Sequence, residues 1–164
     1  MLRKAMICLT GLALAGPALA SAPAPQMPAQ MRGIWMVANG AGKDQCNAYL
    51  AELRRPRGDA RSRLVGSEVI SARGLHSYAE YGEGNFYWAE RIVALGKGKW
   101  RVHALLGLDG PPEPGAAGKA VLVFNLEGAK LAYRIESIGG AASQGQSARR
   151  YFRCAAVPAG FYAG

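Results

Sequence analysis

The sequence predicts a mainly β protein: an antiparallel up-and-down β-barrel of about eight strands, with one α-helix after the first strand. Three observations carry this. From residue 68 onward, short β-type runs follow one another, separated by glycine-rich turns. Two of those runs alternate between apolar and polar residues, as strands with one buried face do. Only the stretch between the first and second strands repeats its apolar residues at helical spacing. Sequential antiparallel strands leave two open edges, and closing the sheet removes both. A two-sheet sandwich is the competing arrangement.

Taken in order, residues 1–20 read as a cleaved signal peptide. Arg3 and Lys4 precede an apolar run through Ala15, and Ala18-Leu19-Ala20 sits before Ser21. The run is shorter than the about 20 apolar residues a membrane-spanning helix needs. Its removal takes away Cys8 and two cations but no acid, so the formal charge of +9 becomes +7. The remaining residues, about 144, suit one domain. Residues 21–31 are rich in Ala, Pro and Gln and read as a flexible leader. One barrel domain is expected over 32–157 and a C-terminal tail over 158–164.

The first strand is Gly33-Ile34-Trp35-Met36-Val37, and Asn39-Gly40 turns the chain out of it. Asp44 is the expected cap of the helix. Within it Cys46, Tyr49, Leu50 and Leu53 fall at i, i+3, i+4 and i+7, and Pro56 and Gly58 stop it. Strands are expected over 68–72, 75–81, 86–95, 99–107, 120–125, 130–138 and 148–154. Gly96-Lys97-Gly98 and Glu127-Gly128 are hairpin turns. In 99–107, Trp100, Val102, Ala104 and Leu106 face one way, and Arg101 and His103 the other. In 130–138, Leu131, Tyr133 and Ile135 alternate with Ala132, Arg134 and Glu136. An outer-membrane barrel would need strands of about 9–11 residues with an apolar outside. Several strands here are shorter, which points to a water-exposed barrel with an apolar core.

Cys46 and Cys154 remain once Cys8 has left. An even count in an exported chain reads as one disulfide, closing a loop of over 100 residues, worth about 4–5 kcal/mol in the chain-entropy model; two separate buried thiols are the alternative. No C-x-x-C spacing is present. His76 and His103 stand on separate strands without companion ligands, so no metal or cofactor is expected. Serine-hydrolase, zinc-protease and phosphate-loop motifs are absent, and the chain reads as a non-enzyme. Arg54, Arg55, Arg57, Arg61 and Arg63 crowd around Pro56 and form a candidate anion-binding loop, the alternative being a solvated charged loop. Glu90-Arg91 interrupts an apolar strand, which would turn one of the two charges inward. Phe86, Tyr87, Trp88, Trp100, Tyr133, Tyr151 and Phe152 would line a pocket or fill a core.

Gly33-Ile34-Trp35 resembles the G-x-W signature of the lipocalin or calycin barrels. The resemblance implies that Trp35 closes the barrel base and that Arg153, from the last strand, packs over its ring. The helix departs from that family in following the first strand rather than the eighth. The chain also resembles the small periplasmic barrels that include bacterial metalloprotease inhibitors. The expectation is therefore a monomeric periplasmic binding protein holding a small apolar or amphipathic ligand in its barrel. The alternative is an inhibitor or accessory protein that meets an envelope protein through loops. An anionic lipid surface is a further candidate partner for so basic a chain, and nucleic acid is not expected in that compartment.

Overall fold

The computed structural model describes residues 23–56, 58–113, 115–143 and 147–162. The signal-peptide reading and Arg57 lie outside the described residues.

Eight strands close into an antiparallel barrel. They are β1 (Gly33–Val37), β2 (Glu68–Ile70), β3 (Gly74–Tyr78), β4 (Gly84–Gly96), β5 (Lys99–Leu108), β6 (Gly118–Glu127), β7 (Lys130–Ile138) and β9 (Arg149–Ala155). Each pairs with the next in sequence, β9 pairs with both β7 and β1, and the ring is complete. The two-residue strand β8 (Ala141–Ala142) folds back on β7 and is not a stave of the barrel. Helix α1 (Gly40–Leu53) follows β1, as the apolar spacing predicts.

Register decides what faces inside, because residues paired across antiparallel strands share a face. Val102, Ala104, Leu122, Phe124, Leu131, Tyr133 and Tyr151 all point inward and form the core with Trp35. Leu122, Phe124, Leu131 and Tyr151 are each at most 1 % exposed. An internal cavity that could admit a ligand would leave these side chains accessible from within. The interior is instead filled, as eight-stranded barrels allow. The expected ligand chamber inside the barrel is therefore corrected to a packed core. Of the aromatics in question, Tyr87, Trp100, Tyr133 and Tyr151 join that core, while Phe86 and Phe152 lie outside the wall.

The barrel base is built from the segment read as a flexible leader. Met27 and Met31 are buried in the core, the latter on a 3-10 turn (Ala29–Met31). Trp35 Nε1 donates to the Met31 carbonyl at 2.8 Å. Arg153 lies with its guanidinium 5.9 Å from the Trp35 ring centroid and donates to the Arg32 carbonyl. A Cβ on Gly33 would come within 2.7 Å of Arg153 Nε, so glycine at this position leaves room for the arginine. The packed structure thus begins by Met27, ahead of the expected boundary at 32.

β1 is buried on both faces, which is why it reads as an unbroken apolar run. Its outward residues Ile34 and Met36 pack under α1 and the C-terminal tail, with Cys46, Tyr49, Leu64, Val69, Tyr78 and Phe161. Cys46 and Cys154 are disulfide-bonded across this second core, 108 residues apart in sequence. The helix begins four residues before the expected cap. Asn39 Oδ1 accepts from Gly42 N at 2.8 Å, so the Asn-Gly turn is also the N-cap. A Cβ on Gly42 would fall 2.0 Å from the Val37 carbonyl oxygen, and only glycine lets the helix start this close to β1. Leu53, the last residue of the predicted apolar face, is 48 % exposed.

Glu90 and Arg91 correct a further expectation. Register shifts between Ala89 and Arg91 opposite β5, so Glu90 is an extra, bulged residue. Both charges therefore reach solvent, and Arg91 donates to His103 Nε2 on the outer face at 2.8 Å. Charges outside and apolar residues inside reverse the pattern of a barrel that faces lipid. No helix among the described residues is long and apolar enough to cross a membrane.

Candidate functional site

One inward row crosses five strands and ends at the barrel mouth. Trp35 pairs with Glu68, Glu68 with Ser77, Ser77 with Asn85, and Asn85 with Leu108. The row runs from the fully buried Trp35 to Leu108, which is 71 % exposed at the rim.

Glu68 is the polar centre of this row and is itself buried. Its carboxylate accepts from Ser77 Oγ at 2.7 Å, Tyr133 Oη at 2.8 Å and Tyr151 Oη at 2.9 Å. Burial raises the Glu68 pKa; the three hydroxyl bonds and the field of Arg149 pull it back only in part. Tyr133 and Tyr151 are raised as well, first by burial and then by the neighbouring carboxylate. The tyrosine rings stack 5.7 Å apart, which holds both hydroxyls on one oxygen of Glu68. Sequence reasoning missed this cluster. Tyr133 and Tyr151 lie 65 and 83 residues beyond Glu68, and no local spacing signals such a convergence.

Above the cluster stand two loops with strained backbone. Tyr81 has φ +56° and is 96 % exposed, at the tip of the 3-10 turn Glu80–Gly82 between β3 and β4. Asp109 has φ +57° at the end of β5, and its N–H donates to the Gly84 carbonyl at 2.8 Å. That bond carries the pairing of β5 with β4 one residue past Leu108, whose partner is Asn85. A left-handed conformation costs a non-glycine residue about 1 kcal/mol or more. Here it holds a large aromatic and a large aliphatic side chain out in water.

The C-terminal tail covers His76 on the outer wall. His76 stacks on Phe86 at 3.7 Å between ring centroids. Its Nε2 lies 2.9 Å from the Glu83 carbonyl and donates to it, so Nδ1 accepts from Tyr162 Oη at 3.2 Å. Burial lowers the His76 pKa, while the bond to Glu83 works against the shift. A histidine held neutral by folding binds more protons when unfolded, so stability rises with pH. His76 is therefore expected to cost stability as pH falls through its unfolded value of about 6.5, by at most about 1.4 kcal/mol per pH unit. Urea midpoints between pH 7.5 and 5.5 check this, and His76→Phe should flatten the slope.

Three of the clustered arginines, Arg55, Arg61 and Arg63, bind the chain's own groups. Arg55 and Arg63 both reach Glu52, at 2.8 and 3.7 Å. Arg61 donates to the Phe161 carbonyl at 2.5 Å, and its guanidinium lies 5.0 Å from that ring, so it fastens the tail. Arg54 is the exposed C-cap of α1. Among the described residues no three His, Cys, Asp or Glu side chains converge as metal ligands would. No protein-family model, curated protein or solved structure matches the chain.

Proposed function

We propose that this is an exported, non-enzymatic binding protein of the cell envelope that meets a protein partner through the loops at its barrel mouth. One observation carries the reading: Tyr81 and Leu108 stand exposed at the same end of the barrel, the one at a strained backbone position and the other beside one, above a barrel with no room inside. Backbone strain kept at an exposed aromatic is the pattern of a presented contact residue. Exposed tyrosines with an apolar neighbour are typical centres of protein interfaces. The disulfide supports an oxidising compartment. The pairing of Trp35 with Arg153 supports the calycin-like reading, and loop-mediated contact is what the resemblance to periplasmic inhibitor barrels implies.

A photo-crosslinker placed at position 81 or 108 tests this in the native compartment. A discrete protein adduct from both positions is expected, lost when Leu108→Asp accompanies the position-81 probe. A probe at Lys97, in the hairpin at the opposite end of β5, should give none. The same adducts from all three positions would overturn the reading, as would adducts that survive Leu108→Asp.

A further inference from the structure

A second surface lies on the outer wall of β6, β7 and β9. Ala132 points outward at its centre, paired with Asn125 on one side and Arg150 on the other. Lys130 and Arg134 flank it along β7, two residues either way on the same face. A methyl group ringed by long side chains leaves a depression, and Lys43 from the first turn of α1 walls its far side. The resulting groove has a volume of about 790 Å³. That is the size of an ordinary small-molecule site, roughly 300–1,000 Å³.

The groove carries two kinds of surface. Val123, Ala132 and Phe152 supply an apolar floor. Lys43, Lys130, Arg134 and Arg150 stand around it against a single acid, Glu127, which already accepts from Asn125 at 2.8 Å. Among the described residues no carboxylate lies within salt-bridge distance of Lys43, Lys130 or Arg150. Arg134 has only a 3.5 Å contact with Glu136, whose closer partner is Arg101 at 2.9 Å. Four like charges around one groove repel one another, and an anion placed among them relieves that cost. A bare anion would leave the apolar floor wet, and a neutral chain would leave the cations unpaired.

We propose that this groove binds a single-chain anionic amphiphile, its carboxylate or phosphate head among Lys43, Lys130, Arg134 and Arg150 and its chain on Val123, Ala132 and Phe152. The site is separate from the barrel mouth and does not depend on a protein partner there.

Titration calorimetry of the purified protein, below the micelle concentration of each probe, tests it. Laurate and dodecyl phosphate distinguish the two head groups, dodecyl maltoside is the neutral chain of the same length, and inorganic phosphate is the bare head. At least one anionic dodecyl probe should bind about tenfold or more tighter than either control. Ala132→Phe, which fills the depression, should abolish that binding without moving the melting temperature. Lys130→Gln with Arg150→Gln should weaken it about tenfold and remove the advantage over dodecyl maltoside. The proposal is overturned if neither anionic probe binds. Equal binding of dodecyl maltoside or of inorganic phosphate overturns it too. Undiminished affinity in the folded Ala132→Phe protein or in the double variant has the same consequence.

Discussion

Removing the Cys46–Cys154 bridge, by reduction or by Cys46→Ala with Cys154→Ala, is expected to destabilise the protein by about 4–5 kcal/mol. The bridge closes 108 residues of chain, which includes seven of the eight barrel strands from β2 to β9. Cutting it returns a large conformational freedom to the unfolded state. It also frees α1 from β9 in the folded state, over a small core that rests on Ile34, Met36, Tyr49 and Phe161. For a domain whose whole stability is about 5–15 kcal/mol, the loss is a large fraction. Hydrogen exchange should show where it falls. Amides of α1 and the tail should lose protection first, and those of the long β4–β5 and β5–β6 ladders last. Denaturation midpoints with and without reductant measure the size of the effect.

Glu68→Leu is expected to cost about 3–5 kcal/mol, since it strands two buried tyrosine hydroxyls and the half-buried Ser77 hydroxyl at once. Glu68→Gln separates the bonds from the charge. Its amide oxygen still accepts, but nothing ionises. The Glu68 pKa is raised in the folded state, so its contribution is fully present below its unfolded value and is lost as pH rises through the folded one. The stability of Glu68→Gln relative to the parent protein should therefore climb as pH rises from about 4.5, near the unfolded carboxyl value, toward neutrality. This slope is opposite in sign to that of His76, and the two variants separate them. Urea unfolding of Glu68→Leu and Glu68→Gln at acidic and neutral pH reads both effects.

Particular residues show how far this architecture was legible in the chain. The alternation at Trp100, Val102, Ala104 and Leu106, and again at Leu131, Tyr133 and Ile135, is a local pattern; the barrel keeps it because one face of each strand meets the core. The cysteine pairing was legible by count alone. Met27 and Met31 were not legible as core, because a plug at the barrel base needs no periodicity, only two apolar side chains at the right reach. Asn39 serves as turn residue and helix cap together, and the same residue type signals both. The bulge at Glu90 shifts every later residue of β4 by one, and nothing in its composition announces that. The mouth was the least legible part. Glu68, Tyr133 and Tyr151 meet only because closure brings β2, β7 and β9 around one axis. Tyr81 and Leu108 differ from any loop aromatic or aliphatic residue only in backbone angle and exposure.

Binding outside a filled barrel is the claim on which both proposals stand, and methyl-resolved NMR of the purified protein with dodecyl phosphate tests it most directly. The outward methyls of Val123 and Ala132 should shift on titration, while the inward methyls of Val102, Leu122 and Leu131 stay unmoved. Shifts at Val102, Leu122 and Leu131 would mean that the amphiphile enters the barrel, contradicting the packed interior described here.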